Sequence, residues 1–177
     1  MPRPPDPRPI IIDTDPGTDD AIALFLAFGT PGLDVRLVSV TGGNVGLAHT
    51  LANARALVGL AGRDMPVVAG ADRPLLGGFA AETRVHGRDG LGGVRLPEGP
   101  PATPGVAADA IRAVLRAAGP QGVSLVGIGP ATNLALALAT EPALLDHVAE
   151  IVLMAGAWAD GNVTPAAEFN AWSDPES

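Results

Sequence analysis

At 177 residues, 47% of them hydrophobic, the chain is long enough to bury a sizeable core and too apolar to be a disordered tail. It has no cysteine, which excludes disulfides, thiolate metal sites and cysteine nucleophiles, and suits a reducing, cytoplasmic compartment. A net charge of −8, with every basic residue an arginine, argues against nucleic acid as a partner, and no window is long and apolar enough to span a membrane.

Residues 1–8 read as a Pro-rich leader without the apolar core of a signal peptide, and residues 9–177 as one α/β domain. Ile10-Ile11-Ile12 is the β-branched run of a strand buried on both faces. The chain turns at Pro16-Gly17, and Ala21, Leu24, Phe25 and Phe28 resume at helical spacing. A turn at Thr30-Pro31-Gly32 leads to a strand over Val35–Val40, which ends at Thr41-Gly42-Gly43-Asn44. A helix over Leu47–Leu60 and a short strand over Pro66–Ala69 follow. The β-α-β-α-β order predicts an open, mostly parallel sheet flanked by helices.

Residues 70–104 form a long Gly- and Pro-rich connection, of the kind that serves as a lid when it is functional. A helix over Val106–Ala118, a strand over Gly122–Val126 and a turn at Gly127-Ile128-Gly129-Pro130 come next. Thr132 and Asn133 read as residues that begin the Ala/Leu helix after that turn. A short helix over Pro142–His147 precedes a last strand, Ile151–Met154, and a polar stretch. Asp174-Pro175-Glu176 has the form of a helix start, with Asp174 as its cap.

Four carboxylates, Asp13, Asp15, Asp19 and Asp20, fall at the first strand–turn–helix corner, the carboxyl end of a strand where open α/β sheets bind ligands. One aspartate there would be an ordinary helix cap. Four repel one another, and the helix dipole favours one of them by only about 0.3–1 kcal/mol. The others call for a cation or a proton. An all-oxygen donor set selects a hard cation, and its openness suits Ca²⁺ slightly better than Mg²⁺. An Asp-x-Asp strand end is also used by haloacid-dehalogenase-like phosphatases, with Asp13 as nucleophile and Mg²⁺ bound. Gly17 does not fit that pattern, and Asp19-Asp20 has no role in it.

Asp13-Thr14-Asp15-Pro16-Gly17-Thr18-Asp19-Asp20-Ala21 resembles the amino-terminal signature of the inosine–uridine-preferring nucleoside hydrolases. Thr41-Gly42-Gly43-Asn44, Val85-His86-Gly87, Gly129–Ala135, Val152–Gly156 and Ala167-Glu168-Phe169-Asn170 resemble further family segments, in the same order. The resemblance implies a Rossmann-like nucleoside hydrolase fold and Ca²⁺-assisted hydrolysis of ribonucleosides to ribose and free base, in purine and pyrimidine salvage. By the same resemblance Asp15, Asp20 and the Ile128 carbonyl would be calcium ligands, and Asp15 would take a proton from the attacking water. Asp19 and Asn44 would hold ribose hydroxyls, Asn162, Glu168 and Asn170 would bind the sugar from the opposite side, and His86 would contact the base.

Family members continue past Ser177 and supply a further calcium-ligating aspartate and a neighbouring histidine. The resemblance therefore implies an amino-terminal portion of a hydrolase, with impaired activity. The alternative is a non-catalytic remnant acting only as a folded or assembly module. Either way, an apolar patch near residues 151–172 is expected to be exposed and to drive homo-oligomer formation, with Trp158 and Trp172 reporting on it.

Overall fold

The structure, a computed structural model, describes residues 6–79, 81 and 83–177; residues 1–5 of the predicted leader lie outside the described residues. Five strands form one parallel sheet: β1 (Arg8–Thr14), β2 (Leu33–Val40), β3 (Val67–Ala69), β4 (Val123–Gly127) and β5 (Val148–Leu153). Their order across the sheet is β3-β2-β1-β4-β5. The order reverses between β1 and β4, which opens a crevice at the carboxyl ends of those two strands.

Among the described residues, six α-helices accompany the strands: α1 (Thr18–Gly29), α2 (Leu47–Leu60), α3 (Thr83–His86), α4 (Ala107–Ala118), α5 (Thr132–Thr140) and α6 (Phe169–Ser173), with a 3-10 helix at Pro142–His147. The alternation along β1 sorts the core into two layers. Ile10 and Ile12 join Val38 and Val40 beneath Leu24, Phe28, Leu57 and Val58 of α1 and α2. Ile11 joins Leu37 and Leu125 beneath Ile111 and Leu115 of α4 and Leu134 of α5. Each such fully buried side chain is worth about 1.5–3 kcal/mol. In α4 the buried residues Ala107, Ile111 and Leu115 recur every four positions, while Asp109 and Arg112 pair on the outer face.

The helix at the carboxyl end of the chain lies over Phe169–Ser173, with Asp174 as its C-cap. Asp174 is buried, and its Oδ2 accepts from the Thr132 hydroxyl (2.5 Å) and the Leu75 amide (3.1 Å). Its Oδ1 is buried with no hydrogen-bond partner among the described residues. One reading changes: the connection over residues 70–104 is not a free loop, since it carries α3, buries His86 and Leu91, and is held by Asn53, which donates to the Asp89 carbonyl at 2.8 Å.

β5 departs from the other strands, with Glu150 through Leu153 all exposed. Ile151, Val152, Leu153 and Met154 are each 44–50% exposed, and Trp158 and Trp172 lie exposed nearby. An apolar strand at the edge of a sheet is a template for association. The chain is therefore expected to self-associate with rising concentration, read by sedimentation velocity, and Val152→Lys to shift it towards monomer. A parent chain that stays monomeric throughout would show that this face is inert.

Candidate active site

The carboxyl ends of β1, β2 and β4 converge on a cleft of about 380 Å³. Asp15 lies beneath it, fully buried just past the end of β1. Its Oδ2 accepts from the Asn44 backbone amide at 2.6 Å, while its Oδ1 is buried with no hydrogen-bond partner among the described residues. Gly43 is required by this approach, since a Cβ there would stand 2.1 Å from Asp15 Oδ2. Burial first, and the charge of Asp20 second, push the Asp15 carboxyl well above the usual aspartate range.

Asp20, in the first turn of α1, points back towards the same place. It accepts from the Thr14 hydroxyl (2.7 Å), the Gly17 amide (3.0 Å) and Asn44 Nδ2 (3.3 Å). Burial raises its pKa against the Thr14 and Gly17 donors. Asn44 thus ties the two carboxylates together, donating its backbone amide to one and its side-chain amide to the other.

Asp13 is also completely buried, but it faces away from the cleft into the sheet. Its Oδ1 accepts from the Ser39 hydroxyl (2.5 Å) and Asn133 Nδ2 (2.8 Å), and burial carries its pKa up to about 7. A nucleophile needs an open line of attack, so the phosphatase reading loses its central residue.

Among the other candidates, Asp19, Asp20, Asn44, His86, Ile128, Asn162, Glu168 and Asn170 all line the cleft. Asp19 and Asn162 are exposed within it. Glu168 caps α6, accepting from the Asn170 amide at 2.9 Å, and Asn170 Nδ2 donates to the carbonyls of Ile128 (3.0 Å) and Met154 (2.9 Å). Asn170 therefore holds the ends of β4 and β5 as well as facing the cleft, and Glu168 fixes the start of the helix that carries it. His86 is buried, with Nδ1 3.2 Å from the Thr18 hydroxyl and 3.8 Å from Asp19 Oδ1. It thereby contacts the corner that carries Asp19.

The donors around Asp15 and Asp20 are oxygens, and Asp15 Oδ1 is a buried carboxylate oxygen with no hydrogen-bond partner among the described residues, a position a cation can fill. That chemistry fits a hard divalent cation. The set is sparse: among the described residues, no group of three or more His, Cys, Asp or Glu side chains is arranged to hold a metal.

A doubly wound sheet with an acidic, amide-lined cleft at its switch point defines a small-molecule binding protein of the α/β class. Residues 10–177 match the description of the inosine-uridine preferring nucleoside hydrolases, and the chain belongs to that family. It is 46% identical over 172 residues to the pyrimidine-specific ribonucleoside hydrolase RihA of Salmonella enteritidis, an alignment covering 96% of this chain and 55% of that protein. The fold matches a plant nucleoside hydrolase, PpNRh1, with a TM-score of 0.89 at 39% identity, over 96% of this chain and 55% of that one. It matches the purine-preferring ribonucleoside hydrolase of Gardnerella vaginalis with a TM-score of 0.90 at 32% identity, over the same shares. The chain thus spans about 55% of the length of these relatives.

Proposed function

We propose that this chain carries the ribose- and cation-binding half of a ribonucleoside hydrolase site that cleaves N-glycosidic bonds to give ribose and free base. The observation that carries the reading is the pair Asp15–Asp20, bridged by the cleft-lining Asn44 and leaving one buried Asp15 oxygen without a partner among the described residues. Asp15, Asp20 and the Ile128 carbonyl would hold Ca²⁺. When bound, that ion offsets the crowded negative charge and lowers the pKa of the water to be used.

The chain's own residues account for the remaining steps. Asp15 accepts a proton as the water oxygen bonds to the anomeric carbon. The carbon–nitrogen bond breaks, its electron pair stays on the base, and the base nitrogen takes up a proton. Positive charge on the sugar is largest at that moment, and the surrounding carboxylates stabilise it. Asp19 and Asn44 hold ribose hydroxyls, Asn162, Glu168 and Asn170 close on the sugar from the other side, and His86 lies where the base would sit. Hydroxyl-binding groups of this kind discriminate against a deoxyribose by leaving themselves unpaired.

The relatives include a pyrimidine-specific and a purine-preferring hydrolase, so the proposed selectivity is for ribose, in a salvage role. Residues 9–177 act as one α/β unit, and a cytoplasmic homo-oligomer is the proposed setting. No helix among the described residues is long and apolar enough to cross a membrane.

The exposed β5 supports a second reading, an assembly module with an incomplete site. Base release from uridine and inosine, followed by absorbance with and without calcium, separates the two. Calcium-dependent release supports the hydrolase. No release from this chain, or from one extended to the relatives' length, supports the module.

A further inference from the structure

Asn133 stands at the start of α5, almost fully buried, yet its side chain caps nothing in that helix. Its Nδ2 donates instead to Asp13 Oδ1 at 2.8 Å, and its Oδ1 accepts from the Ala71 amide at 2.8 Å. The carbonyl of the same Ala71 accepts from the Gly42 amide (2.9 Å) and the Thr41 hydroxyl (3.2 Å). Two residues beyond Gly42, the Asn44 amide meets Asp15. One side chain on α5 thus joins β1 to the segment just after β3, and through it to the turn that orients the Asp15 carboxylate.

We infer that Asn133 is the positioning residue of this site: it holds the Ala71 peptide against the Gly42–Asn44 turn and thereby sets where the unpartnered Asp15 oxygen points. The inference rests on the role proposed above for Asp15. The position calls for an amide, because one end must donate to a carboxylate while the other accepts from a backbone N–H. Aspartate at 133 would keep the acceptor for Ala71 but set a second carboxylate against Asp13. Gly70 completes the arrangement: a Cβ there would stand 2.1 Å from Asn133 Oδ1 and 2.5 Å from Nδ2, so the backbone has to lie directly on the amide. Buried partners one step removed from a ligand typically change metal affinity by about 10–100-fold when altered.

The test compares the full chain with its Asn133→Asp and Asn133→Ser variants. Calcium affinity is read by calorimetry, and hydrogen exchange is read at the Asn44 amide and, as a core reference, at the Leu125 amide. Calcium affinity is expected to fall about 10–100-fold. Exchange at Asn44 is expected to accelerate about tenfold more than at Leu125, the mark of local rather than global opening. Combining Asp13→Asn with Asn133→Asp restores one amide facing one carboxylate, and should return affinity to within about threefold of the parent.

Exchange at Asn44 that merely tracks Leu125 would overturn the inference, as would an exchanged pair that recovers nothing. If neither Asn133 variant folds, Gly70→Ala displaces the same amide from the other side and is judged by the same readouts. Calcium binding lost in Asp15→Asn, with Asn44 exchange unmoved by the Asn133 changes, sinks this inference and leaves the role of Asp15 standing. Calcium binding unaffected by Asp15→Asn sinks the role of Asp15, while the exchange data still decide whether Asn133 holds the turn.

Discussion

Asp15→Asn is expected to move stability and function in opposite directions. In a chelating buffer near neutral pH the variant should be more stable than the parent, because it removes a buried carboxylate whose Oδ1 has no partner and whose neighbour, Asp20, carries the same charge. The amide leaves a polar group at the unpartnered position but removes its charge, and an uncompensated buried charge costs more than the ~1–3 kcal/mol of a neutral unsatisfied group. The amide oxygen can still accept from the Asn44 amide, so the surrounding turn has no reason to collapse. Stabilisation by added calcium should disappear. Nucleoside hydrolysis, in whatever length of chain supports it, should fall by about 10²–10⁴-fold, the range for loss of a positioned general base.

That combination is hard to obtain by accident. A residue kept only for packing loses stability when it is changed and leaves calcium affinity alone. A residue held in a strained or charged state for function does the reverse. Thermal unfolding with and without calcium, together with a base-release assay, reads all three quantities on one preparation. An Asp15→Asn chain that is less stable than the parent and still responds to calcium would remove Asp15 from the site.

Much of this arrangement is legible in the residues. The run Ile10-Ile11-Ile12 announces a strand covered on both faces, and its alternation reappears as two core layers on opposite sides of the sheet. The acids at its end can be read as a site because four like charges at one corner have no structural purpose. Asp13 shows the limit of that reading. It belongs to the same run of acids, yet strand alternation turns it into the sheet towards Ser39 and Asn133. Asn133 itself looks like a helix-starting residue, since Asn near a helix start is usually a cap. Its actual partners lie 120 and 62 positions away, beyond any local pattern. Asp174 likewise has partners far from it in sequence, since its Oδ2 accepts from Leu75 and Thr132. The signal that could have found Asn133 is the glycine at position 70, an open position beside a strand end where a large neighbour must sit.

In chelator, the melting temperature of the chain is expected to rise as the pH is lowered from about 8 to about 5, the opposite of ordinary acid destabilisation. Asp13, Asp15 and Asp20 all have their carboxyl pKa values raised, primarily by burial, and Asp13 reaches about 7. A carboxyl that ionises later in the folded chain than in the unfolded one favours folding while it is protonated. Its contribution is complete below the ordinary aspartate range, near pH 4, and is lost as the pH climbs through the folded value. For Asp13 the full loss, from the ordinary value to about 7, is about 4 kcal/mol, on the order of 10 °C in melting temperature for a chain of this size. Asp15 and Asp20 act in the same direction. Glu141, held low by Arg116, acts in the opposite sense but only below the usual carboxylate range, which leaves the interval between about pH 5 and 8 free of it. Asp13→Asn should flatten part of the slope without affecting calcium-dependent stabilisation as strongly as Asp15→Asn does. Calcium itself favours ionised ligands, so its stabilising effect should grow with pH and offset the decline. A melting temperature that stays level or drops between about pH 8 and 5 in chelator would mean that these carboxylates are not held in the protonation states their burial requires.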